Sequence, residues 1–172
     1  MKRLAFGLFA SALLWGGNAA AQNTIKIGVP MPLSGPGALY GEPSVKGARM
    51  FADEINAAGG VLGKKIELVI RDSKASADEA VRVSREMILK EEVQFLVGTL
   101  TSAEGPAVST IAKENTIILI APIPTTDQLT AEKNLHPYVF RTAANTTREG
   151  RSAAGCRPGI SSPLSPRRTP AG

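Results

Sequence analysis

The sequence predicts an α/β fold, with a parallel β-sheet that carries helices on both of its faces. Two observations lead to this prediction. Strand-like and helix-like segments alternate from residue 24 to residue 154, and most strand-like segments are nearly continuous apolar runs. Such alternation is typical of parallel strands buried between helices. The chain has 172 residues, 43% of them hydrophobic and 20% charged, which is the composition of one globular domain with extensions.

The first two predicted strands enclose one helix. β-branched and polar residues alternate at 24–29, and the run KIELVIRD at 65–72 predicts a second strand. Between them, a loop rich in glycine and proline is expected to give way to a helix at Pro43, because proline suits the first helical position. The helix is expected to end at Gly59 and Gly60, since glycine commonly follows the last helical turn.

The rest of the chain continues the alternation. Ser76 with Glu79, and Thr146 with Glu149, fit the capping-box pattern that opens helices. The other predicted features are a helix end near Lys90, a strand at 93–97, a helix from Ser102 to Glu114, and strands at 116–121 and 138–141.

The first 21 residues have the pattern of a secretory signal peptide. Lys2 and Arg3 precede an apolar stretch at 4–15, and Ala19–Ala21 offers a cleavage site before Gln22. The apolar stretch is about a dozen residues, shorter than the ~20 that span a bilayer. The sequence therefore predicts an exported chain that is not embedded in the membrane.

The alternation stops after Ala154. Residues 155–172 contain four prolines and three arginines and show no hydrophobic period. A shifted reading frame or a truncation is favoured over natural disorder, because disordered tails rarely begin within a capped helix. The expected organisation is a signal peptide at 1–21, an incomplete α/β domain at 22–154, and an aberrant or disordered tail at 155–172.

The net charge of +5 does not indicate a nucleic-acid partner. Five basic residues lie in the terminal segments, namely Lys2, Arg3, Arg157, Arg167 and Arg168. Without them, the 15 acidic residues of the chain are balanced by an equal number of basic ones between residues 22 and 154. No basic patch is therefore expected. The single cysteine, Cys156, excludes an internal disulfide.

The patterns that indicate catalysis or metal binding do not occur in the sequence. One histidine, His136, precedes Pro137 in a predicted surface loop, and one cysteine adds too few soft ligands for a metal cluster. Neither G-x-S-x-G nor the phosphate-binding G-x-x-x-x-G-K-[ST] is found. The sequence predicts no catalytic residue, no metal and no cofactor, and the chemistry that it offers is binding.

The predicted topology places a ligand at one edge of the sheet. In open parallel sheets, ligands bind at the carboxyl ends of the strands, where the strand order reverses. If the first strand lies between the second and the third, the crevice falls between the first and third strands. The loops bordering it are expected to be 33–41, 98–102 and 121–126.

Ser102 is the leading candidate for ligand contact. As an N-cap its hydroxyl would satisfy one orphan amide, which stabilises a helix by about 1 kcal/mol. The exposed amides of a helix start also suit a small carboxylate. Gly98 is expected to let a ligand approach the backbone, and Thr99 and Thr101 to add hydroxyl donors. Capping and ligand binding explain Ser102 equally well.

The segment APIPTT offers acceptors for an ammonium group. Its prolines keep the carbonyls of Ala121 and Ile123 out of helical hydrogen bonds, and the hydroxyl of Thr125 or Thr126 can act beside them. The alternative is a proline-rich turn that Thr126 or Asp127 caps.

Tyr40 lies among small residues in the segment SGPGALYG. It can cover a small organic ligand, or it can pack on its own loop. Gly35, Gly37 and Gly41 are similar to a dinucleotide fingerprint, with Asp72 where a ribose partner would lie. The spacing is one residue too long and Pro36 intervenes. An exported Rossmann-like NAD(P)-binding oxidoreductase is thus an alternative function.

Four segments in order resemble the branched-chain amino-acid-binding proteins, the leucine/isoleucine/valine-binding type of periplasmic solute-binding protein that serves ABC transporters. The segments are IKIGVPMPLSGPGALYGEP, GARMFADEINAAGGVLGKKIELVIRDSKASADEAVRVSREMI, VQFLVGTLTSAEGPAVSTIAKENTIILIAPIPTTDQLT and HPYVFRTAANTTREGRSAA. Together they cover residues 24–154. The resemblance implies a type I periplasmic-binding fold, with two α/β lobes hinged around a cleft that closes on a ligand and presents it to a permease.

The resemblance also implies roles for individual residues. Ser102 would meet the carboxylate of an amino acid or related ligand, the Ile123 carbonyl and Thr125 hydroxyl would meet its ammonium group, and Tyr40 would border its side chain. Thr101 stays a candidate ligand contact as a hydroxyl donor beside Ser102. Because residues 123 and 124 are bulkier than is common in that loop, leucine-like ligands are not assured.

Residues 22–154 correspond to the N-terminal ligand-binding lobe, and the second lobe is missing. The resemblance places the chain in the periplasm, without enzymatic activity, as a partner of a small-molecule ligand and, in full-length form, of an ABC permease. A cleft with one wall is expected to bind weakly. A lobe that works as an interaction module with a separately encoded partner is a further alternative.

Overall fold

The computed structural model describes residues 24–155, which form a five-stranded parallel sheet with helices on both faces. The strands are β1 Thr24–Met31, β2 Lys65–Asp72, β3 Phe95–Val97, β4 Ile118–Ala121 and β5 Val139–Arg141. The helices are α1 Ala38–Ala57, α2 Ala77–Leu89, α3 Glu104–Glu114 and α4 Thr146–Gly155. The predicted signal peptide and most of the predicted tail lie outside the described residues.

The strand order is β2-β1-β3-β4-β5, with β1 between β2 and β3. Ile27 pairs with Leu68 on one side and with Phe95 on the other. The order reverses between β1 and β3, so the condition on which the predicted crevice position depended is met. The α/β class and the five predicted strands are confirmed as well, with strand ends shifted by one or two residues.

Helices α2 and α3 cover the central part of one face of the sheet. Met87 of α2 and Val108 of α3 are fully buried against Leu96 and Leu119, which come from the two central strands on that face. Burial of large aliphatic side chains stabilises a fold by about 1.5–3 kcal/mol each. This layer therefore contains the main core.

Helix α1 covers only the β1–β2 half of the other face. Val29 and Met31 are buried there beneath Val45. A cavity of about 420 Å3 remains between α1 and the sheet. Phe51 of α1 lines it and is 65% exposed, and Phe140 of β5 is 52% exposed. The β3–β5 half of this face therefore stays open.

Helix α1 begins five residues earlier than predicted, and Pro43 lies inside it. A 3-10 helix at Gly35–Gly37 runs directly into α1. A Cβ added to Gly41 would lie 1.7 Å from the Pro32 carbonyl oxygen, so the first turn of α1 packs closely on the end of β1. Pro43 lacks an amide and so removes one hydrogen bond from the first turn of α1. The packing of Gly41 on Pro32 keeps this turn helical despite that loss.

The predicted capping box at α2 does not form. Ser76 precedes the helix, yet its side chain makes no capping hydrogen bond. Glu79 instead binds Arg82 at 2.8 Å and lies 3.5 Å from the Lys74 amine. The hydrogen bond from Arg82 lowers the pKa of Glu79 to about 2. A charged guanidinium competes better for the carboxylate than a backbone amide does.

Candidate functional site

The crevice lies where the ends of β1 and β3 part. The amide of Thr99 donates to the Pro30 carbonyl at 2.9 Å, and Gly98 donates to the Ile120 carbonyl at 3.1 Å. Gly98 has φ of 144°, and an added Cβ would lie 2.9 Å from the Pro30 oxygen. The glycine is therefore required by the close approach of two strands, and it is buried.

The hydroxyl of Thr99 does not reach the crevice. Thr99 is fully buried, and its Oγ1 has no hydrogen-bond partner among the described residues. The burial of Thr99 does not favour the expectation that its hydroxyl donates to a ligand, and its amide joins two adjacent strands instead. Gly98 lines the cavity beneath α1, and its expected role of letting a ligand approach the backbone stays a prediction.

The start of α3 is capped by Thr101 and Glu104. The Glu104 amide donates to Thr101 Oγ1 at 3.2 Å, and the Thr101 amide donates to Glu104 Oε2 at 2.8 Å. This reciprocal pair is a capping box. The amide of Leu100 donates to the same carboxylate oxygen at 3.1 Å. Glu104 is fully buried, and its Oε1 has no partner among the residues that the structure describes.

Ser102 is therefore not the N-cap, and that interpretation is wrong. The capping-box pattern is the run T-S-A-E at 101–104, which begins one residue before Ser102. This pattern was visible in the sequence and could have identified Thr101 as the cap. Ser102 is exposed, and neither its side chain nor its amide has a partner within residues 24–155. The Ala103 amide is likewise unpaired there. Two adjacent amides and one hydroxyl thus remain available at a helix start.

The loop after β4 presents a second set of polar atoms. Thr126 Oγ1 accepts from the Gln128 amide at 3.3 Å and caps a 3-10 helix at Asp127–Thr130, as the alternative interpretation of the turn expected. The Ala121 carbonyl accepts from the Thr142 amide at 3.4 Å and is not free. The Ile123 carbonyl and the Thr125 hydroxyl have no partner among the described residues.

The same loop is fixed to the beginning of α4. The Thr125 carbonyl accepts from the Thr146 amide at 2.8 Å, from Thr146 Oγ1 at 2.9 Å and from Arg141 Nη1 at 3.1 Å. Asn145, one residue before the predicted cap, accepts from the Arg148 amide at 3.0 Å. Thr146 is therefore not the cap of α4, because its hydroxyl holds the Thr125 loop instead.

Tyr40 lies in the first turn of α1, which was predicted to be loop, and it is 62% exposed. The Tyr40 carbonyl accepts from Ser44 Oγ at 2.7 Å. Because the first turn of α1 packs on Pro32, just after β1, Tyr40 follows the carboxyl end of β1 on a helix. Its ring is free to contact a ligand.

Asp72 fastens the segment between β1 and α1. Its Oδ1 accepts from the amides of Leu33 and Lys74, each at 2.8 Å. Burial on its own raises the pKa of Asp72, yet the hydrogen bonds from the Ser34 side chain and from these amides hold that pKa below its ordinary value. An ionised carboxylate that is already bonded to two amides is poorly suited to bind a ribose, which weakens the dinucleotide interpretation.

The five candidate ligand contacts share one edge of the sheet. They follow β1, β3 and β4, and they are Tyr40, Thr101, Ser102, Ile123 and Thr125. The Ile123 side chain also lines the apolar cavity beneath α1. Within residues 24–155 no group of three His, Cys, Asp or Glu side chains could hold a metal ion. In the same range, no helix has the length and apolarity to cross a membrane.

Comparison with known proteins gives a family match over nearly the whole described chain. The sequence pattern of the periplasmic binding protein family matches residues 24–157. The Leu/Ile/Val-binding protein BraC3 of Rhizobium johnstonii is 33% identical over 134 residues, which are 78% of this chain and 36% of that protein. Leu/Ile/Val-binding protein homolog 3 of Brucella melitensis is 34% identical over 153 residues, 89% of this chain and 39% of its own length.

Solved structures agree with this match. One is the branched-chain amino acid transporter substrate binding protein LivJ of Streptococcus pneumoniae, solved in complex with isoleucine. Its TM-score is 0.66 and its sequence identity is 38%, and the match covers 71% of this chain and 34% of LivJ. Another is a solute binding protein of an ABC transporter from Rhodopseudomonas palustris, solved in complex with 3,4-dihydroxybenzoic acid. Its TM-score is 0.64 and its sequence identity is 26%, and the match covers 72% of this chain and 32% of that protein. This chain therefore spans well under half the length of the relatives that it matches.

Proposed function

The chain belongs to the periplasmic binding protein family, and from this membership we propose that it is the first ligand-binding lobe of an exported solute receptor for an ABC importer. The export step rests on the signal-peptide pattern at residues 1–21. The permease partner and the second cleft wall are properties of the longer relatives. The pair of unpaired amides at Ser102 and Ala103 is the observation that carries the proposal for this lobe.

The ligand that these amides suit is a small carboxylate. Unpaired amides at a helix start lie at the positive end of the helix dipole, which favours an anion. Glu104 already neutralises the amides of residues 100 and 101, so only the amides of residues 102 and 103 are left to bind a second carboxylate. Isoleucine and 3,4-dihydroxybenzoic acid, the ligands of two similar proteins, share a carboxylate and little else.

An amino acid would add its ammonium group to this contact. The Ile123 carbonyl and the Thr125 hydroxyl are unpaired acceptors in the neighbouring loop. Tyr40 supplies an exposed aromatic face for the side chain of the ligand. We infer that the ligand is a small amino acid or a related carboxylate.

Binding by this chain alone is expected to be weak. An interlobe cleft holds its ligand from both walls, and closing the cleft excludes water. Each missing hydrogen bond to a charged group costs about 1.5–3 kcal/mol, so losing two or three weakens binding roughly a thousandfold or more. Affinities in the millimolar range or weaker follow for the single lobe.

Backbone amide NMR tests the proposed contact, because it detects binding at millimolar concentrations. Adding leucine, isoleucine or 3,4-dihydroxybenzoate is expected to shift the amide resonances of Ser102 and Ala103 beyond the others. Leucinol, which lacks the carboxylate, should leave them in place. The proposal fails if leucinol and leucine shift the same resonances equally, or if the carboxylates shift only resonances distant from the crevice.

A further inference from the structure

A second cavity lies on the lobe away from the crevice. It has a volume of about 260 Å3 and opens between α3 and two 3-10 helices at Asp127–Thr130 and Glu132–Asn134. The polar side chains that line it are Ser109, Thr110, Lys113, Gln128, Lys133, Asn134 and His136. None of these residues belongs to the loops that border the crevice.

The charge of this cavity is positive. Lys113 and Lys133 both line it, and no carboxylate does. Neither amine forms an ion pair within the described range of 24–155. Arg82 of α2 and Lys90, which follows α2, pair with carboxylates and lie outside this cavity. Two unpaired ammonium groups at one polar cavity favour an anion.

His136 and the buried Ser109 both line the cavity. The His136 Nε2 lies 2.8 Å from Oγ of Ser109, which is 5% exposed, and the His136 Nδ1 accepts from the Tyr138 amide at 3.3 Å. Because Nδ1 accepts, the neutral ring carries its proton on Nε2 and donates it to Ser109. The ring thus does not take a proton from Ser109, which argues against a nucleophilic serine and leaves a binding role.

We propose that this cavity binds a small oxyanion of about the size of phosphate. Lys113 and Lys133 supply the charge, and the side-chain amide of Gln128 supplies a neutral hydrogen bond from the opposite wall. The Thr110 hydroxyl lines the cavity but already donates to the Pro106 carbonyl at 3.2 Å. Charge-assisted hydrogen bonds to oxyanions are roughly twice as strong as neutral ones. The site is separate from the crevice, so a solute could occupy either one without the other.

The single histidine provides a direct readout. Burial, and then the positive charge of Lys113, lower the pKa of His136 below its ordinary value. Lys113 of α3 is the charged group that acts on the ring, Lys133 of the 3-10 helix lines the same cavity, and the Tyr138 ring lies 6.2 Å away on the segment of His136 itself. An oxyanion between the two lysines would offset their charge and raise the pKa of His136.

The test is a proton NMR titration of His136 in the folded chain. Sulfate is the first probe because its charge does not change between pH 5 and 8, and inorganic phosphate is the second. Sulfate at about 20 mM should raise the His136 pKa relative to chloride of equal ionic strength. An equal rise in chloride would overturn the proposal, since simple screening would then explain it. No rise with either oxyanion would also overturn it.

Variants of the lysines sharpen the test. Lys113→Gln and Lys133→Gln should each weaken sulfate binding about tenfold, the loss expected for one charge-assisted contact. Lys46→Gln is the matched control, because Lys46 is exposed on α1 at the opposite face of the sheet. Binding that survives both cavity variants, or that falls equally in the Lys46 variant, contradicts the assignment.

Discussion

At the residue scale, Thr101 and Ser102 show how neighbouring hydroxyls take different roles. Thr101 exchanges hydrogen bonds with Glu104, so its side chain and its amide are committed to the start of α3. Ser102 is exposed and has no partner in the described chain. The fold thus commits Thr101 to the start of α3, whereas the side chain and amide of Ser102 stay exposed and without a partner in the described chain.

This division predicts the stability of three variants. Thr101→Ala and Glu104→Ala should each lower the free energy of unfolding by about 1–3 kcal/mol, because both leave an amide at the start of α3 unpaired. Ser102→Ala should change it by less than about 0.5 kcal/mol. Urea unfolding gives the three values. A loss in Ser102→Ala equal to that in Thr101→Ala would show that Ser102 is the cap after all.

His136 makes the stability of the fold depend on pH. Its pKa is lowered from 6.5, first by burial and second by Lys113. As pH falls below about 6.5, the unfolded chain binds a proton before the folded chain does. The free energy of unfolding should therefore decrease from pH 7 toward the folded pKa of His136. Asp72, Glu79 and Glu86 titrate at lower pH, because their pKa values are lowered from 3.8, 4.5 and 4.5.

His136→Gln isolates this contribution. The variant is expected to lose stability at pH 7, because glutamine does not reproduce both hydrogen bonds of the ring. It should show a flatter dependence on pH between about 5.5 and 7 than the parent chain. Urea unfolding at three pH values in that window compares the two slopes. Parallel slopes would mean that another group controls the dependence.

At the element scale, the close approach of α1 to β1 sets the position of the first loop. Gly41 faces the Pro32 carbonyl with no room for a side chain, whereas Gly47, two turns later in the same helix, faces open space. The close packing at Gly41 therefore requires glycine, whereas the open space at Gly47 does not.

Alanine at these positions should have opposite effects. Gly41→Ala is expected to destabilise the fold by about 3 kcal/mol, since a Cβ would collide with backbone that cannot move aside. Gly47→Ala is expected to stabilise it by about 0.5–1 kcal/mol, because alanine has the higher helix propensity. Thermal unfolding of both variants checks this pair. A neutral Gly41→Ala variant would show that α1 does not pack against Pro32.

The strands and their order were predictable, because periodicity and parallel topology depend on patterns that extend over many residues. Helix starts were less so. Pro43 suggested that α1 begins at residue 43, yet the helix begins earlier, at Ala38, where Gly41 packs against Pro32. Glu79 suggested a capping box, yet Arg82 captured its carboxylate. In both cases a contact between side chains or segments outweighed a local preference, and such contacts do not appear in sequence patterns.

The crevice was predictable for the same reason as the sheet, whereas its individual atoms were not. The edge that holds Ser102 and Thr125 follows from strand order. Which hydroxyl is a cap and which carbonyl is occupied depends on single hydrogen bonds, such as that from Thr142 to Ala121. The polar cavity at His136 was missed, because its lining comes from two segments, 106–113 and 128–136, that only the fold brings together.

At the scale of the whole molecule, two surfaces of residues 24–155 stay open. One is the crevice at the carboxyl ends of β1 and β3. The other is the open half of the sheet face beside α1, where Phe51 and Phe140 are more than half exposed. Exposed apolar patches of this kind commonly mark interaction sites. The chain also spans only 36% and 39% of the two curated relatives described above.

We propose that this chain holds the carboxylate of a ligand and needs a second cleft wall for tight binding. Isothermal titration calorimetry with isoleucine is the experiment to make, on the chain itself and on residues 24–154 fused to the remainder of the Rhizobium johnstonii relative. We expect a micromolar dissociation constant for the fusion and one roughly a thousandfold weaker, or no measurable heat, for the chain. Micromolar binding by the chain alone would contradict it.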